Sequence, residues 1–162
     1  MSTRKTAINR QALQNSRRTA SVKAKRDLAI VYRLITEVKL DPQNPREHRP
    51  KQIGQIARSM KTFGFNVPVL IDSAGKVIAG HGRLLAAQQL GLTEVPTILL
   101  DHLSEAQARA FMIADNKLTE NAEWNQQLLG EQLRDLSLLD LDFDIEIIGF
   151  ETAEIDLCVA NW

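Results

Sequence analysis

The stretch Lys76-Val77-Ile78-Ala79-Gly80-His81-Gly82-Arg83-Leu84-Leu85-Ala86-Ala87-Gln88-Gln89-Leu90-Gly91 limits the folds open to this chain more than any other. A short apolar run meets two glycines and then Leu84, Ala87 and Leu90 at helical spacing, which predicts a strand, a tight turn and a helix. Such a turn is an anion site in outline. Its glycines admit close backbone approach, the first helical N–H groups have no intrahelical partner, and the helix dipole favours negative charge there. Arg83 adds a planar fork of donors suited to phosphate. His81 lies between the glycines, within reach of the same ligand. A plain structural turn is the competing reading of the same residues.

The flanking segments supply elements for a small mixed sheet. Tyr32 to Leu40 alternates well enough for a first strand, and Asp41 to Pro50 carries three of the five prolines, so it forms an extended polar loop. From Lys51 to Phe63, Ile53, Ile56, Ala57, Met60 and Phe63 mark one face of a helix that Gly64 ends. Val67 to Ile71 reads as a strand, Asp72 to Gly75 as a turn and Lys76 to Ala79 as the hairpin partner. Val95 to Leu100 is a further strand. Ser104 and Gln107 form a capping-box pattern opening a helix whose apolar side uses Ala106, Ala110, Ile113 and Ala114. Asp115, Asn116 and Lys117 at the end of that helix read either as capping groups or as a rim of the ligand site. Leu128, Leu129, Leu133 and Leu136 predict another helix, and Ala153 to Val159 a last short one.

Leu139 to Ile147 alternates strictly, with Asp140, Asp142, Asp144 and Glu146 on one side. Strand geometry would put four carboxylates on one face, where a divalent cation is conceivable. These acids would spread along an extended strand, and a solvated loop or edge that discourages pairing is the preferred reading. His48 and His102 read as surface or packing residues, and Trp124 and Trp162 likewise. The separations of the three histidines match no local metal-ligand spacing, and no metal site is expected.

Composition enters through charge. The formal net charge is zero, yet residues 1–26 contain eight basic residues and no acid, leaving 12 basic against 20 acidic residues in the rest. Arg4, Lys5, Arg10, Arg17, Arg18, Lys23, Lys25 and Arg26 thus form a basic arm, expected to stay flexible over residues 1–28 and to contact DNA. A solubilising tail, or one folding back on the acidic body, is the other reading. Residues 29–150 are expected to form the domain and 151–162 a tail or short helix. No apolar run reaches the roughly 18 residues needed to span a bilayer, and the N-terminus lacks a signal-peptide core, so a cytoplasmic protein without membrane contact is expected. The lone Cys158 excludes an internal disulfide framework.

Several blocks agree with one family. Leu40 to His48 (LDPQNPREH), Gln52 to Gly64 with its Ser59-x-x-x-Phe63-Gly64 ending, Gly80-His81-Gly82-Arg83 and Ala114-Asp115-Asn116-Lys117 occur in the order found in the ParB/sulfiredoxin superfamily. Residues 30–150 resemble its ParB-like N-terminal domain, most closely the type found beside DNA methyltransferases. The resemblance implies an α/β (α+β) fold, a small mixed β-sheet flanked by helices, that grips nucleotide phosphates. In ParB proteins the pocket binds and hydrolyses CTP, in related free-serine kinases it handles ATP or ADP, and in sulfiredoxins it binds ATP beside a catalytic cysteine.

Carried over, Gly80, His81, Gly82 and Arg83 would line the phosphates, Arg46 would face the same pocket, and Mg²⁺ would accompany a CTP or ATP ligand, its waters near Glu47 or Asn116. Two departures stand out. ParB partition proteins usually have Glu-Arg where this chain has His81-Gly82, so one arginine of that clamp is missing. Sulfiredoxins need a cysteine where His81 stands. A His-containing turn is similar to that of the serine kinases, where a glutamate of the early loop acts as base and Glu47 is the nearest counterpart. The implied activity is nucleotide binding with NTPase or kinase chemistry at Glu47 and His81, acting near DNA, with a methyltransferase and a second copy of the chain as candidate partners. Some members are labelled nucleases, an attribution these residues do not themselves support. A non-enzymatic DNA-binding adaptor using the basic arm is the alternative.

Overall fold

The computed structural model describes residues 26–160. Four strands, β1 (Ile30–Leu34), β2 (Val69–Ile71), β3 (Val77–Ala79) and β4 (Glu94–Leu99), form one mixed sheet in the order β1-β4-β2-β3. β1 runs antiparallel to β4, β4 parallel to β2, and β2 antiparallel to β3. Among the described residues five helices accompany them: α1 (Pro50–Phe63), α2 (His81–Gln89), α3 (Glu105–Glu120), α4 (Gln126–Ser137) and α5 (Thr152–Ala160). The predicted hairpin, capping box and glycine turn all form. Ser104 accepts from the Gln107 N–H while the Gln107 side chain accepts from the Ser104 N–H.

The core lies between the sheet and the pair α1 and α2. Ala57 and Met60 of α1, Leu84, Ala86 and Ala87 of α2, and Val69, Ile71, Val77 and Val95 of the strands are all buried there, with Val38 at its edge. Burying a side chain of the size of Leu84 contributes about 1.5–3 kcal/mol, so this packing holds the glycine turn at the sheet's rim.

Two sequence expectations are corrected, and the loop reading of residues 139–147 is met. The strand expected over Tyr32 to Leu40 is split. β1 ends at Leu34, a 3-10 turn spans Ile35–Glu37, and Lys39 then pairs in parallel with Lys76 beside β3, at the opposite edge of the sheet from β1. Lys39 donates to the Gly75 carbonyl and Val77 to the Lys39 carbonyl, both at 2.8 Å. The alternating pattern is satisfied twice over, at two edges, and the crossing delivers the proline loop to the start of α2.

The apolar side of α3 is also different. Met112 is its buried residue and Ala108 lines a cavity against β3, whereas Ile113 is 57% exposed. Ala108, Met112 and Asn116 follow at four-residue spacing, so the face turned to the sheet is the one that ends in a polar group. Asp115 to Lys117 do not end the helix, which continues to Glu120.

No strand forms over Leu139 to Ile147. The chain is irregular to Asp144 and then makes a 3-10 turn over Ile145–Ile148. Two of the carboxylates are used locally instead: Asp144 accepts from the Glu146 N–H, and Glu146 accepts from the N–H and hydroxyl of Thr152. Those bonds hold the Glu146 carboxyl below its ordinary range. Side-chain oxygens that cap the backbone compete with a ladder for the same N–H groups. Phe143 meets Phe63 edge-on at 5.4 Å, and Ile147 is buried, which docks the segment on α1. Among the described residues no group of three or more His, Cys, Asp and Glu could hold a metal ion.

Candidate functional site

Gly80 sits at the N-cap of α2 with φ +102° and ψ 24°, a left-handed conformation that L side chains rarely adopt. The reversal lets β3 pass directly into the helix, which leaves the first α2 N–H groups open. Arg83, one turn in, folds back on the turn that precedes it. Its Nη2 donates to the Pro68 carbonyl at 3.1 Å, and a Cβ on Gly80 would lie 2.9 Å from that nitrogen. The Arg83 Nε is buried with no hydrogen-bond partner. Burial pushes the guanidinium pKa down, and the Asp115 carboxylate pulls the other way. A half-buried cation with an orphaned donor is a group waiting for an acceptor.

Gly82 has a different task. Its missing Cβ would stand 3.0 Å from Ile56 Cδ1 and 3.1 Å from both Cε1 and Nδ1 of His48. Only a glycine lets α1 and the His48 ring approach the first turn of α2 this closely. The loop that carries His48 is pinned at several points. Asp41 is buried, its Oδ1 accepting from the Gln43 N–H at 2.9 Å and its Oδ2 lying 3.5 Å from Lys76 Nζ. Asn44 exchanges side-chain hydrogen bonds with the Arg46 backbone. The proline loop is therefore held in one shape.

These pieces enclose a cavity of about 210 Å³ bounded by the glycine turn, the proline loop, α1 and α3. Gly80, His81, Gly82, Arg83, Arg46, Asp115 and Asn116 all line it, so the turn, the loop arginine and the acidic helix segment meet at one place. Arg46 Nη1 reaches Asn116 Oδ1 at 3.4 Å and Glu120 Oε1 at 3.3 Å. Glu47 is elsewhere: it lines an adjoining shallow cavity of about 440 Å³ with Arg46, Asn116, Lys117 and Glu120. Arg4, Lys5, Arg10, Arg17, Arg18, Lys23 and Lys25 lie outside the described residues, as does Trp162; Arg26 is described and pairs with Asp101 at 3.7 Å.

The cavity also contains residues that sequence reasoning misses, namely His48, Gln52, Asn44 and Thr119. Sequence alone places His48 at the surface or in packing. A signal for it exists: His48, Gln52 and Ile56 are spaced by four, and Pro50 occupies the first helical position, so the loop runs into α1 with these three on one side. His48 Nδ1 lies 3.1 Å from Gln52 Oε1.

His81 is buried at the first position of α2, and its Nε2 accepts from the Asp41 N–H at 3.4 Å. An accepting Nε2 makes the ring neutral, with its proton on Nδ1. Burial lowers the His81 pKa from its ordinary 6.5, the Asp41 carboxylate opposes that, and His48 adds to the lowering. The folded protein thus binds fewer protons at this site than the unfolded chain, and stability falls as pH drops below 6.5. His81→Gln keeps an acceptor that does not titrate. The melting temperature of the wild type relative to this variant should decline between pH 7 and pH 5 by thermal denaturation, and a pH-independent difference would contradict the assignment.

A family model described as the ParB N-terminal domain matches residues 17–117. The ParB-like nuclease domain-containing protein YnaK of Escherichia coli K12 is 45% identical over 80 residues, which are 49% of this chain and 92% of that protein. A probable plasmid-partitioning protein ParB of Thermus thermophilus is 32% identical over 118 residues, covering 69% of this chain and 39% of the relative. The chain therefore matches nearly all of the first relative and well under half of the second. Among solved structures, the C-terminally truncated chromosome-partitioning protein ParB of Caulobacter crescentus, complexed with CTP-gamma-S, superposes with a TM-score of 0.58 at 21% identity, over 81% of this chain and 71% of that one. That likeness is one of fold.

Proposed function

The chain belongs to the ParB N-terminal domain family, and on that premise we propose that it binds a nucleoside triphosphate at the glycine turn, in a DNA-associated setting. The observation that carries the reading is the half-buried Arg83, its Nε without a hydrogen-bond partner, lining a cavity on which Arg46, the open N-terminus of α2 and two imidazoles converge. Such a set is complementary to a multiply charged phosphate chain. At about 210 Å³ the cavity is smaller than the roughly 300–1,000 Å³ of typical small-molecule sites. It suits the phosphates, with ribose and base extending beyond it.

Mg²⁺ enters this reading with the triphosphate. The donor chemistry fits, because Asp115 and Asn44 bring hard oxygen atoms to the cavity wall. When bound, the ion would neutralise phosphate charge, and the chain's residues would do the rest: Arg83 and Arg46 hold the phosphates and Asp115 balances Arg83. Binding is favoured over hydrolysis as the primary activity. His81 Nε2 is engaged by the Asp41 N–H, and Glu47 stands in the neighbouring cavity, so neither that imidazole nitrogen nor that carboxylate is placed at the phosphates to act as a base. Phosphoryl transfer to an acceptor seated beside Glu47 is the enzymatic variant of this reading.

Calorimetric titration of CTP, ATP, GTP and ADP with Mg²⁺ tests the proposal. CTP comes first, since the Caulobacter neighbour was solved with CTP-gamma-S. Saturable binding of one nucleotide supports the reading; no heat from any of them at protein concentrations that detect weak affinity defeats it. The DNA setting is tested separately, by measuring how the affinity for duplex DNA depends on salt before and after removal of residues 1–26. Loss of most of the salt slope would assign DNA contact to the arm. An unchanged slope would move it to the folded body.

A further inference from the structure

We propose that the cavity takes up its phosphate ligand together with a proton, and that His48 holds it. The inference rests on the nucleotide reading above and adds a regulation of that site by pH. His48 is half-buried, lines the cavity, and lays its Nδ1–Cε1 edge against the Gly82 backbone at the first turn of α2. With Nδ1 donating to Gln52 Oε1, the nitrogen free to gain a proton is Nε2, one bond from the Cε1 that touches Gly82. The ring has a fixed orientation and one open nitrogen at the place where the phosphates are expected.

The surrounding charges set the sign. Arg46 faces the cavity from the loop, His81 and Arg83 from α2, and Asp115 from α3, with Asp41 behind His81 and Glu120 drawn to Arg46; from α1 the neighbour is neutral Gln52. A polyphosphate seated there adds negative charge beside the ring, and an opposite charge within about 4–6 Å raises a histidine pKa by roughly 1–3 units. His48 then takes a proton from the buffer onto Nε2, and Nε2–H donates to a phosphate oxygen. His81 is unsuited to the part, since its Nε2 already accepts from the Asp41 N–H.

The proton can be counted. Calorimetry of the full chain with Mg·CTP and Mg·ATP at pH 7, in buffers of different ionisation enthalpy, gives the number of protons exchanged on binding. The nucleotide's own release of protons is common to wild type and variants, so the informative quantity is the wild-type number minus that of His48→Gln. We expect this difference to be an uptake of about half a proton or more, and the wild-type affinity to fall about tenfold relative to His48→Gln between pH 6.5 and pH 8. Gln52→Ala, which removes the Nδ1 partner and leaves the ring, should give an intermediate proton number and guards against a folding defect in His48→Gln. Binding with equal proton numbers in wild type and His48→Gln overturns the proton link alone. Absence of binding in the wild type overturns the nucleotide reading with it.

Discussion

Arg83→Ala is expected to weaken binding of the nucleotide selected by titration by about 1.5–3 kcal/mol, which is roughly 10- to 150-fold in Kd. The size follows from the setting. A charge-assisted contact in a half-buried site is screened less than one at the surface, and Arg83 is the cation in the cavity whose Nε has no other partner. Arg83→Lys should recover only part of the loss. One ammonium cannot both replace the Nη2 bond to the Pro68 carbonyl and reach a phosphate in the cavity. Calorimetry on the three proteins decides the matter, and an unchanged Kd for Arg83→Ala would remove Arg83 from the site.

Gly80→Ala should damage both stability and binding. A non-glycine residue at φ +102° costs about 1–2 kcal/mol in backbone strain alone. The new Cβ would also stand 2.9 Å from Arg83 Nη2 and 3.2 Å from Cζ and Nε, so the guanidinium must leave the Pro68 carbonyl to make room. For a chain of this size about 2–4 °C of melting temperature is lost per kcal/mol. A drop of roughly 2–8 °C is expected, with a fall in nucleotide affinity approaching that of Arg83→Ala. The two changes should not add. Once Arg83→Ala has removed the obstacle, Gly80→Ala should cost only the strain, and the double-mutant cycle reads the difference as coupling. Full additivity in binding would mean that the glycine and the arginine act independently.

Much of the site is legible in local sequence because its parts are local. Gly80 supplies a left-handed residue between a strand and a helix, and Arg83 follows one turn later on the same side; both facts are fixed by spacing. The capping box and the β2–β3 hairpin are similar, since each forms from neighbours in the chain. His48 is hidden for the converse reason. Its role depends on an approach between residues 34 apart in sequence, made possible by the absence of a Cβ on Gly82. The acidic alternation over residues 139–147 does not become a strand, because periodicity describes which faces could form, while Asp144 and Glu146 spend their oxygens on local backbone and side-chain donors instead.

The sequence by itself determined the glycine turn, the helices flanking it, the polar proline loop and the family to which these blocks belong, because each rests on backbone preferences or on the order of short motifs. Only the tertiary structure decided what meets at the turn. The chain leaves β1 at one sheet edge and returns beside β3 at the other, which sets Asp41 against His81 and carries Arg46 and His48 over α2. Packing Met112 against the sheet then fixes the rotation of α3 and swings Asp115 and Asn116 into the cavity while Glu47 stays outside it. Such choices belong to close-packed contacts between distant segments, and no local pattern encodes which of two polar neighbours such a contact will turn inward.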